Sequence, residues 1–346
     1  MGAVVHPVLD LISSRVAAAS QPGARTDGAR LALAIEGGGM RGVVSAGMLT
    51  ALEQLGCLDA FDDCYGSSAG AISGAYFVAG QSSDSIALHW ECLCSRAFID
   101  PVRATRGKSL LSLEYLLDEV CERRFPLDWQ AVLAAPTRLH PLAASANDGT
   151  IHDLAWVTTK AELKEALRAS ARIPVVCGPP VKLNGDHYLD AGLYEPIPYH
   201  AALSDGATHV LVLRSHANAG PATSILDRGL FARRLREEYP RLAVAIEGRS
   251  DNYRREVAEL DRLEARRDAG PFVHSLRPDG AAPSVGLLEH HPEPLRNGAL
   301  AGEAACFRAL APLLCFRSPP SAAMPLGGPA AELGFAGRLR ALFGSS

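Results

Sequence analysis

The sequence has little of what marks a nucleic-acid-binding, disordered or secreted protein. Its 34 Lys and Arg are outnumbered by 38 Asp and Glu, and the net charge of −4 gives no electrostatic basis for binding nucleic acid. With 48% hydrophobic and 21% charged residues, the chain is too apolar to be disordered. It has no internal repeat, no uninterrupted apolar run of the roughly 18 residues that cross a membrane, and no basic segment of the secretory kind at its start. We therefore expect a folded cytoplasmic protein whose contact with a membrane is peripheral.

The eight cysteines follow neither the spacing of a zinc site nor that of a disulfide framework. Cys92 and Cys94 form a C-x-C pair without a second cluster, and His290 and His291 have no partner group at metal-ligand spacing. Reduced, buried thiols are the expectation, as is usual for a cytoplasmic protein. We predict that the protein holds no metal and no cofactor.

The stretch from Leu31 to Gly70 contains two strand–turn–helix units. The apolar run Leu31 to Ile35 predicts a buried strand, and it ends at a glycine-rich turn that opens into the helical pattern VVSAGMLTALEQLG. A second short strand, predicted over Phe61 to Tyr65, runs into GSSAG, and another apolar helix follows. Each glycine-rich turn therefore lies where a strand passes into a helix.

The second turn carries a serine in the pattern G-x-S-x-G, which is typical of a nucleophile elbow. Glycine is expected on both sides of the serine because the backbone is strained there and side chains would clash. The hydroxyl of Ser68 would then be exposed at a helix N-terminus, where N–H groups favour developing negative charge. The elbow residues are Gly66, Ser67, Ser68, Ala69 and Gly70.

The first turn has two interpretations. As G-x-G-x-x-G after a strand it fits a dinucleotide-binding fingerprint, which needs an acidic residue roughly 20 positions later at the end of the next strand. Asp59, Asp62 and Asp63 are near that distance, but they precede or start the strand. As an oxyanion hole, the turn offers backbone N–H groups to the tetrahedral intermediate of acyl transfer, and this explains why a nucleophile elbow follows. The turn consists of Gly37, Gly38, Gly39, Met40, Arg41 and Gly42, and we expect Arg41 to pin it.

The motifs EGGGMRG and GSSAG, followed by the A-S-x-x-x-P segment Ala169 to Pro174, resemble those of the patatin-like phospholipase family, particularly its bacterial branch. The resemblance covers roughly residues 31–215. It implies a three-layer α/β fold and a Ser–Asp dyad without histidine. It also implies phospholipids or related fatty-acyl esters as substrates, with Ser68 as nucleophile, Asp190 as base and the N–H groups of Gly37 to Gly39 as oxyanion hole.

The aspartate motif of this chain is Asp190-Ala191-Gly192, whereas the family usually has glycine directly after the aspartate. If that position requires a positive φ, an alanine would be strained there and would displace the carboxylate. From the residues alone, an aspartate before Ala-Gly is also a common turn former. What favours a catalytic Asp190 is its setting, since HYL before it resembles the end of a strand and EPIP after it a rigid loop.

A histidine could act as the base instead. The α/β-hydrolases run in the order Ser, Asp, His, and several histidines follow Asp190. Most of these would be strand-end or surface residues. We favour the dyad over a histidine triad; the histidines concerned are His200, His209, His216, His274, His290 and His291.

Three other functions would use the same residues. An acyltransferase would pass the acyl group to a different acceptor. A dinucleotide-binding protein would use Gly37 to Gly42 and would not need Ser68. A catalytically inactive lipid-binding module would keep the fold without a working dyad.

Strands and helices alternate along the chain, which predicts an α/β fold with a mostly parallel central sheet covered by helices on both faces. We divide the chain into a helical extension (1–29), one acyl hydrolase domain (30–316) and a Pro/Ala/Gly-rich tail (317–346). Helices are expected over 82–100, within 106–133, over Lys160 to Ser170 and in the charged segment 219–270. A strand interrupted by Pro141 is expected near an edge of the sheet.

Overall fold

A sheet of eight strands organises the part of the chain that the structure describes. The computed structural model describes residues 5–217, 229–282 and 284–317. The strands are β1 (Leu31–Ile35), β2 (Asp63–Ser67), β3 (Arg138–Ser145), β4 (Ile151–Asp153), β5 (Val181–Leu183), β6 (Asp186–Asp190), β7 (His209–Leu213) and β8 (Phe272–Leu276). Their order in the sheet is β5-β6-β3-β2-β1-β7-β8, with β4 paired to β3. The neighbours β3, β2, β1, β7 and β8 are parallel, and β4, β5 and β6 add antiparallel pairs at one end.

Helices follow most strands. They are α1 (Pro7–Ala17), α2 (Val43–Gln54), α3 (Ala69–Val78), α4 (Ser82–Ser85), α5 (Leu88–Glu91), α6 (Pro101–Thr105), α7 (Trp129–Ala134), α8 (Lys160–Ser170), α9 (Tyr199–Ser204), α10 (Gly229–Glu238), α11 (Pro240–Glu247), α12 (Arg249–Glu264) and α13 (Pro292–Arg317). A π-helical segment covers Tyr115–Arg124, and short 3₁₀ turns cover Gly39–Gly42, Leu58–Ala60 and Ala191–Leu193.

Both faces of β1 are buried, which is why the strand reads as a continuous apolar run. Leu31, Leu33 and Ile35 belong to one core with α1, α2 and α13, whereas Ala32 and Ala34 belong to a second core with α9 and α12. The alternation follows from the two-residue period of a strand. The predicted α/β fold, with helices on both faces of a mostly parallel sheet, is confirmed.

The tightest helix pair is α2 against α13, where glycines let the two backbones approach closely. A Cβ at Gly47 would collide with the carbonyl oxygen of Ala299, and one at Gly302 with that of Val44. Residues Pro292–Cys315 of α13 are long and apolar enough to cross a membrane by length and composition alone, although their apolar residues do not form one uninterrupted run. Half of that helix window is buried in the protein, and a core helix passes the same test.

Two of the predicted helices were wrong in length. The segment 82–100 contains only α4 and α5, because local side-chain bonds compete with the helix ladder: Ser85 Oγ donates to the carbonyl of Ser82, and Ser95 Oγ to that of Cys92. The helix predicted within 106–133 is split at Pro126 into the π-helical segment and α7. The helix predicted over Lys160 to Ser170 is confirmed.

The prediction that Pro141 lies near a sheet edge was wrong, because β3 lies between β2 and β6. Pro141 is tolerated there because its carbonyl accepts the N–H of Leu154 at 3.0 Å, and β4 and β6 pair with β3 only from Leu142 onward. The missing N–H therefore removes no ladder bond on that side.

The N-terminal extension is packed on the sheet layer. Val8 and Ile12 of α1 are fully buried, and Arg15 bonds Asp27 and Asp62, each at 2.8 Å. Of the predicted tail, all but Arg317 lies outside the described residues, as do the residues 219–228 of the charged segment.

Candidate active site

Ser68 lies at the tight turn between β2 and α3. Its backbone has φ 57° and ψ −129°, a conformation that L-residues rarely adopt. A Cβ at Gly66 would lie 2.6 Å from the backbone nitrogen of Ala71, and one at Gly70 would collide with the carbonyl oxygen of Ile35. Only glycine fits at both positions, and this close packing is the physical basis of the G-x-S-x-G pattern.

The neighbouring Ser67 faces away from the pocket in which Ser68 lies. Ser67 ends β2, is fully buried, and its hydroxyl has no hydrogen-bond partner among the residues that the structure describes. A Cβ at Gly192 would lie 3.2 Å from that hydroxyl. Ala69, on the other side of Ser68, begins α3. Of the two serines in the elbow, only Ser68 lines the pocket.

The last residue of α8 holds the elbow in place. The N–H of Ser68 donates to Ser170, with 3.2 Å to its carbonyl oxygen and 3.1 Å to its hydroxyl oxygen. In the sequence, Ser170 was only part of the segment that marks the family resemblance. The structure gives it a contact with the elbow, and the N–H of Ser68 is therefore not free for a substrate.

The glycine-rich turn packs directly on the elbow. A Cβ at Gly37 would lie 2.6 Å from the carbonyl oxygen of Ser67 and 2.8 Å from the Cβ of Ser68. Gly38 and Gly39 have φ values of 146° and 56°, which favour glycine. Three successive glycines are therefore required here, the first by close approach and the other two by backbone conformation.

Not every N–H group of the turn is available to a ligand. Met40 donates its N–H to the carbonyl of Leu287 at 3.1 Å, and Arg41 donates its own to the carbonyl of Gly38 at 3.1 Å. The N–H groups of Gly37, Gly38 and Gly39 have no acceptor within the described ranges. These three donors are the ones that the turn can offer to a bound oxyanion.

Arg41 and Gly42 connect the turn to its surroundings. The Nε of Arg41 donates to the hydroxyl of Ser215 at 3.4 Å, and that hydroxyl donates to the carbonyl of Gly37 at 3.1 Å. A Cβ at Gly42 would lie 2.8 Å from the Cβ of Ala69. The Arg41 side chain thus contacts the turn through a serine that follows β7.

Asp190 ends β6 and faces the same pocket as Ser68, although 122 residues separate the two in sequence. It is 2% exposed, and one of its carboxylate oxygens accepts the N–H of Gly192 at 2.7 Å. Burial raises the pKa of Asp190 to about 6, while the Ser68 hydroxyl, the Gly192 N–H and the charge of Arg249 each favour the ionised form. The carboxylate is therefore more basic than an ordinary aspartate and still ionised at pH 7.

Ala191 is not strained. Its side chain is fully buried, and it starts the 3₁₀ turn Ala191–Leu193 without a positive φ. Close packing instead occurs one residue later, since a Cβ at Gly192 would lie 3.1 Å from Asp190 Oδ1. The condition under which alanine at 191 would be strained is therefore not met, because this turn requires a positive φ at neither residue.

A buried charge network lies beyond the glycine turn, at the end of β7. The Glu36 carboxylate accepts from His216 Nδ1 at 2.9 Å and from the N–H of Ser215 at 2.6 Å, and Tyr253 Oη lies 3.2 Å from the same histidine nitrogen. Burial opposes ionisation of Glu36, but the hydrogen bond from His216 and the nearby arginines outweigh it and hold its pKa at about 2. Glu36 is therefore an ionised carboxylate that orients His216.

The pocket between these groups has a volume of about 820 Å³, counted with its open mouth. The glycine turn, Ser68 and Asp190 form one side of it. The other side comes from the chain after β7, namely from Ile246, Arg249, Ser250, Tyr253 and Leu287. No sequence motif indicated these wall residues; Arg249 and Tyr253 lie in the charged segment 219–270, for which only helices were predicted.

The structure argues against the dinucleotide interpretation of the turn. Asp62 and Asp63 lie at the start of β2, at the opposite end of the strand from the turn, and form ion pairs with Arg15 and Arg30. A ribose bound at the glycine turn could not reach them. Gly37 is instead used for contact with the elbow.

Of the candidate histidines, only His216 lines the pocket. Its partner is Glu36 rather than Asp190. Ser68 follows β2 and His216 follows β7, and β1 lies between these two strands in the sheet. The other candidates lie elsewhere: His200 beside Glu259, His209 against Phe272, His274 beside Glu264, and His290 and His291 beside Glu289.

Two groups of described residues bring metal-ligating atoms together, and neither lines the pocket. They are Glu289 with His290 and His291, and His140 with Asp153 and Asp205. Both ring nitrogens of His140 are already bonded to carboxylates, at 2.6 Å to Asp153 and 3.0 Å to Asp63. All eight cysteines are free thiols. That the protein uses no metal remains a prediction.

The fold and the site define a class of protein: an α/β protein with a serine on a nucleophile elbow that shares a pocket with a buried carboxylate. Residues 33–203, just under half of the chain, match the family model of patatin-like phospholipases, and this part of the chain belongs to the patatin-like family. The resemblance stated from the motifs is thereby confirmed.

Two curated proteins are similar to this chain over slightly more than half of its length. The chain is 30% identical to the uncharacterised protein YjjU of Escherichia coli over 187 residues, which are 54% of this chain and 52% of the relative. It is 31% identical to an uncharacterised NTE family protein of Mycobacterium tuberculosis over 200 residues, 56% of this chain and 51% of the relative. The chain thus spans about half the length of the curated relatives that it matches.

Proposed function

We propose that the protein is a serine acyl hydrolase that acts through Ser68 and Asp190. Asp190 takes the proton of the Ser68 hydroxyl while the serine oxygen attacks the ester carbonyl, and the N–H groups of Gly37, Gly38 and Gly39 stabilise the oxyanion of the tetrahedral intermediate. This intermediate collapses to an acyl-enzyme, and Asp190 returns the proton to the leaving alkoxide. Asp190 then takes a proton from a water molecule as the water attacks the acyl-enzyme, and it passes that proton to the oxygen of Ser68 as the fatty acid leaves.

One observation carries this proposal: a strained serine and a carboxylate of raised pKa share one pocket, while the histidine of that pocket is bonded to a different carboxylate. A serine triad would need His216 beside Ser68, oriented by its own acidic partner. The Ser68–Asp190 pair needs no third group, because Asp190 is already basic enough to take a proton near neutral pH.

The proposed substrates are fatty-acyl esters of phospholipids or related lipids. The family match supports a lipid ester, and the pocket has apolar lining from Ile173, Leu193, Ile246 and Leu287 beside its polar groups. For such substrates we propose a cytoplasmic protein in peripheral contact with a membrane. An acyltransferase would form the same acyl-enzyme, and only the acceptor would differ.

The test is hydrolysis of a short and a long p-nitrophenyl ester by the wild type, Ser68→Ala, Asp190→Asn and His216→Gln, with circular dichroism to confirm folding. We expect both dyad variants to lose activity by about 10³-fold or more. We expect His216→Gln to lose less than about tenfold. If Asp190→Asn keeps most of its activity and His216→Gln loses it, the base is the histidine and the dyad is wrong. A fully inactive wild type would overturn the hydrolase itself.

A further inference from the structure

Ser215 bonds the glycine-rich turn from the end of the neighbouring strand, β7. It is 3% exposed and lies outside the residues 33–203 that match the family model. Its hydroxyl donates to the carbonyl oxygen of Gly37 at 3.1 Å, although 178 residues separate the two in sequence. This bond fixes the direction of one backbone carbonyl in the turn that packs on the elbow.

The bond to the Gly37 carbonyl also determines where the N–H of Gly38 points. The two groups belong to one planar, trans peptide unit, in which they point in opposite directions. Ser215 is not one of the described residues that line the pocket, whereas Gly37, Gly38 and Ser68 are. A carbonyl turned toward Ser215 therefore leaves the N–H of Gly38 turned toward the pocket, and that N–H has no acceptor within the described ranges.

The same arrangement recurs in the two adjoining peptide units. The carbonyl of Glu36 accepts from the hydroxyl of Ser45 at 3.4 Å, and the carbonyl of Gly38 accepts from the N–H of Arg41 at 3.1 Å. The N–H groups that follow these two carbonyls likewise have no acceptor in the described part of the chain. Each free donor of the turn thus shares a peptide unit with a bonded carbonyl, and Ser215 makes the shorter of the two side-chain bonds.

Charged groups hold Ser215 in place. Its N–H donates to the Glu36 carboxylate at 2.6 Å, and its hydroxyl oxygen accepts from Arg41 Nε at 3.4 Å. Because the hydroxyl oxygen faces a donor on the Arg41 side, its hydrogen is left for the Gly37 carbonyl. The other oxygen of Glu36 accepts from His216 Nδ1 at 2.9 Å. Glu36 and His216 therefore support the serine that holds the turn.

We propose that Ser215 is a positioning residue of the oxyanion hole, which aims the N–H of Gly38 at the oxyanion by holding the Gly37 carbonyl. Donors that are fixed before the reaction need no reorganisation as negative charge develops, and this is why they lower the barrier. Ser215 acts through the turn and does not touch the substrate. The role rests on the proposed hydrolase function, because it concerns an oxyanion that forms only during acyl transfer.

Kinetics on a p-nitrophenyl ester and on the matching thionoester, in which sulfur replaces the carbonyl oxygen, separate this role from a merely structural one. We expect Ser215→Ala to lower kcat on the ester by about 10- to 100-fold and to change KM by less than about threefold, because the aimed donor acts in the transition state. Sulfur is a weaker hydrogen-bond acceptor than oxygen, so the rate on the thionoester should fall much less. The ratio of the two rates should therefore fall in the variant.

Two further variants accompany Ser215→Ala, and circular dichroism confirms that each folds. Ser215→Thr keeps the hydroxyl and should retain most of the activity on the ester. The matched control is Ser85→Ala, because Ser85 is also buried and its hydroxyl donates to the carbonyl of Ser82 at 3.3 Å, outside the pocket that holds Ser68. It should leave both rates within about twofold of the wild type. If Ser215→Ala does not fold, Ser215→Cys replaces it with a weak donor of similar shape, and the same fall in the ratio is expected.

The possible results distinguish this role from the hydrolase itself. An equal loss on both esters would mean that Ser215 only supports the fold of the turn. Unchanged kcat on the ester, or a change confined to KM, would mean that the N–H of Gly38 needs no help from it. Each of these results overturns the positioning role and leaves the hydrolase standing. A wild type inactive on both esters overturns the hydrolase and the positioning role with it.

Discussion

The two regions that form the pocket differ in how their residues are specified. In residues 33–203, each residue that we propose for the reaction lies in a short motif whose glycines are required by the backbone, as at Gly66 and Gly70. In residues 229–317 the wall residues Ile246, Arg249 and Leu287 come from helices and a loop without any such motif. The reacting groups depend on close backbone packing, which leaves a recognisable motif in the sequence. The residues of the pocket wall are single side chains that the tertiary fold brings together, and they leave no such motif.

Charge is also distributed differently between the two regions. Around the glycine turn the carboxylate of Glu36 is ionised and fully bonded, with a pKa of about 2. On the α12 side, burial raises the pKa of Glu256 to about 8, and one oxygen of Glu256 has no hydrogen-bond partner among the described residues. The carboxyl group beside the glycine turn is thus ionised and bonded, whereas the one in α12 is largely protonated at neutral pH.

A large effect on stability should come from Gly70, a glycine of the first region. We expect Gly70→Ala to cost about 3 kcal/mol of unfolding free energy, because the new Cβ would collide with the backbone of Ile35 in β1. The matched control in the second region is Gly248→Ala, where the nearest atom would lie 3.8 Å away and φ is −82°. It should change stability by less than about 1 kcal/mol. Urea unfolding measures both, and equal losses would remove the distinction between the regions.

A smaller effect is expected from Glu256 of α12. Its pKa is raised in the folded state, so its contribution to stability is complete below the unfolded value of 4.5 and is lost as the pH rises through about 8. Glu256→Gln should therefore flatten the fall in stability between pH 5 and 8 and stabilise the protein at pH 8 by about 1–2 kcal/mol. Thermal unfolding across this range checks it. An unchanged slope would mean that the carboxyl group is solvated.

The smallest effect concerns the contact between the two regions. Arg249 favours the ionised form of Asp190, so Arg249→Gln should raise the pKa of that carboxyl. The acid limb of kcat/KM for an uncharged ester, expected near pH 6 in the wild type, should move to higher pH by a few tenths to one unit. Arg255→Gln, at an exposed arginine of the same helix, should leave the limb in place. A limb that stays fixed in both variants would assign the base to another group.

The sequence predicted most of the first region and little of the second. The strand Leu31–Ile35, the helices that follow both turns and the proximity of Ser68 to Asp190 followed from apolar runs, glycine placement and the family motifs. The contacts of Glu36 and Ser170 were not predicted although both residues lie within those motifs, because only the tertiary fold brings their partners His216 and Ser68 to them. Arg249 could not be found from sequence, since it is one of many arginines in a charged helix and only the tertiary fold turns it into the pocket.

The central claim is that Ser68 is the nucleophile and Asp190 its base. The most direct measurement is mass spectrometry of the protein after reaction with a fluorophosphonate, which labels activated serines covalently. The account predicts a single adduct on the peptide that carries Ser68, formed in the wild type and in His216→Gln and formed at least about 10²-fold more slowly in Asp190→Asn. An adduct on another residue, or one that forms equally fast in Asp190→Asn, would contradict it.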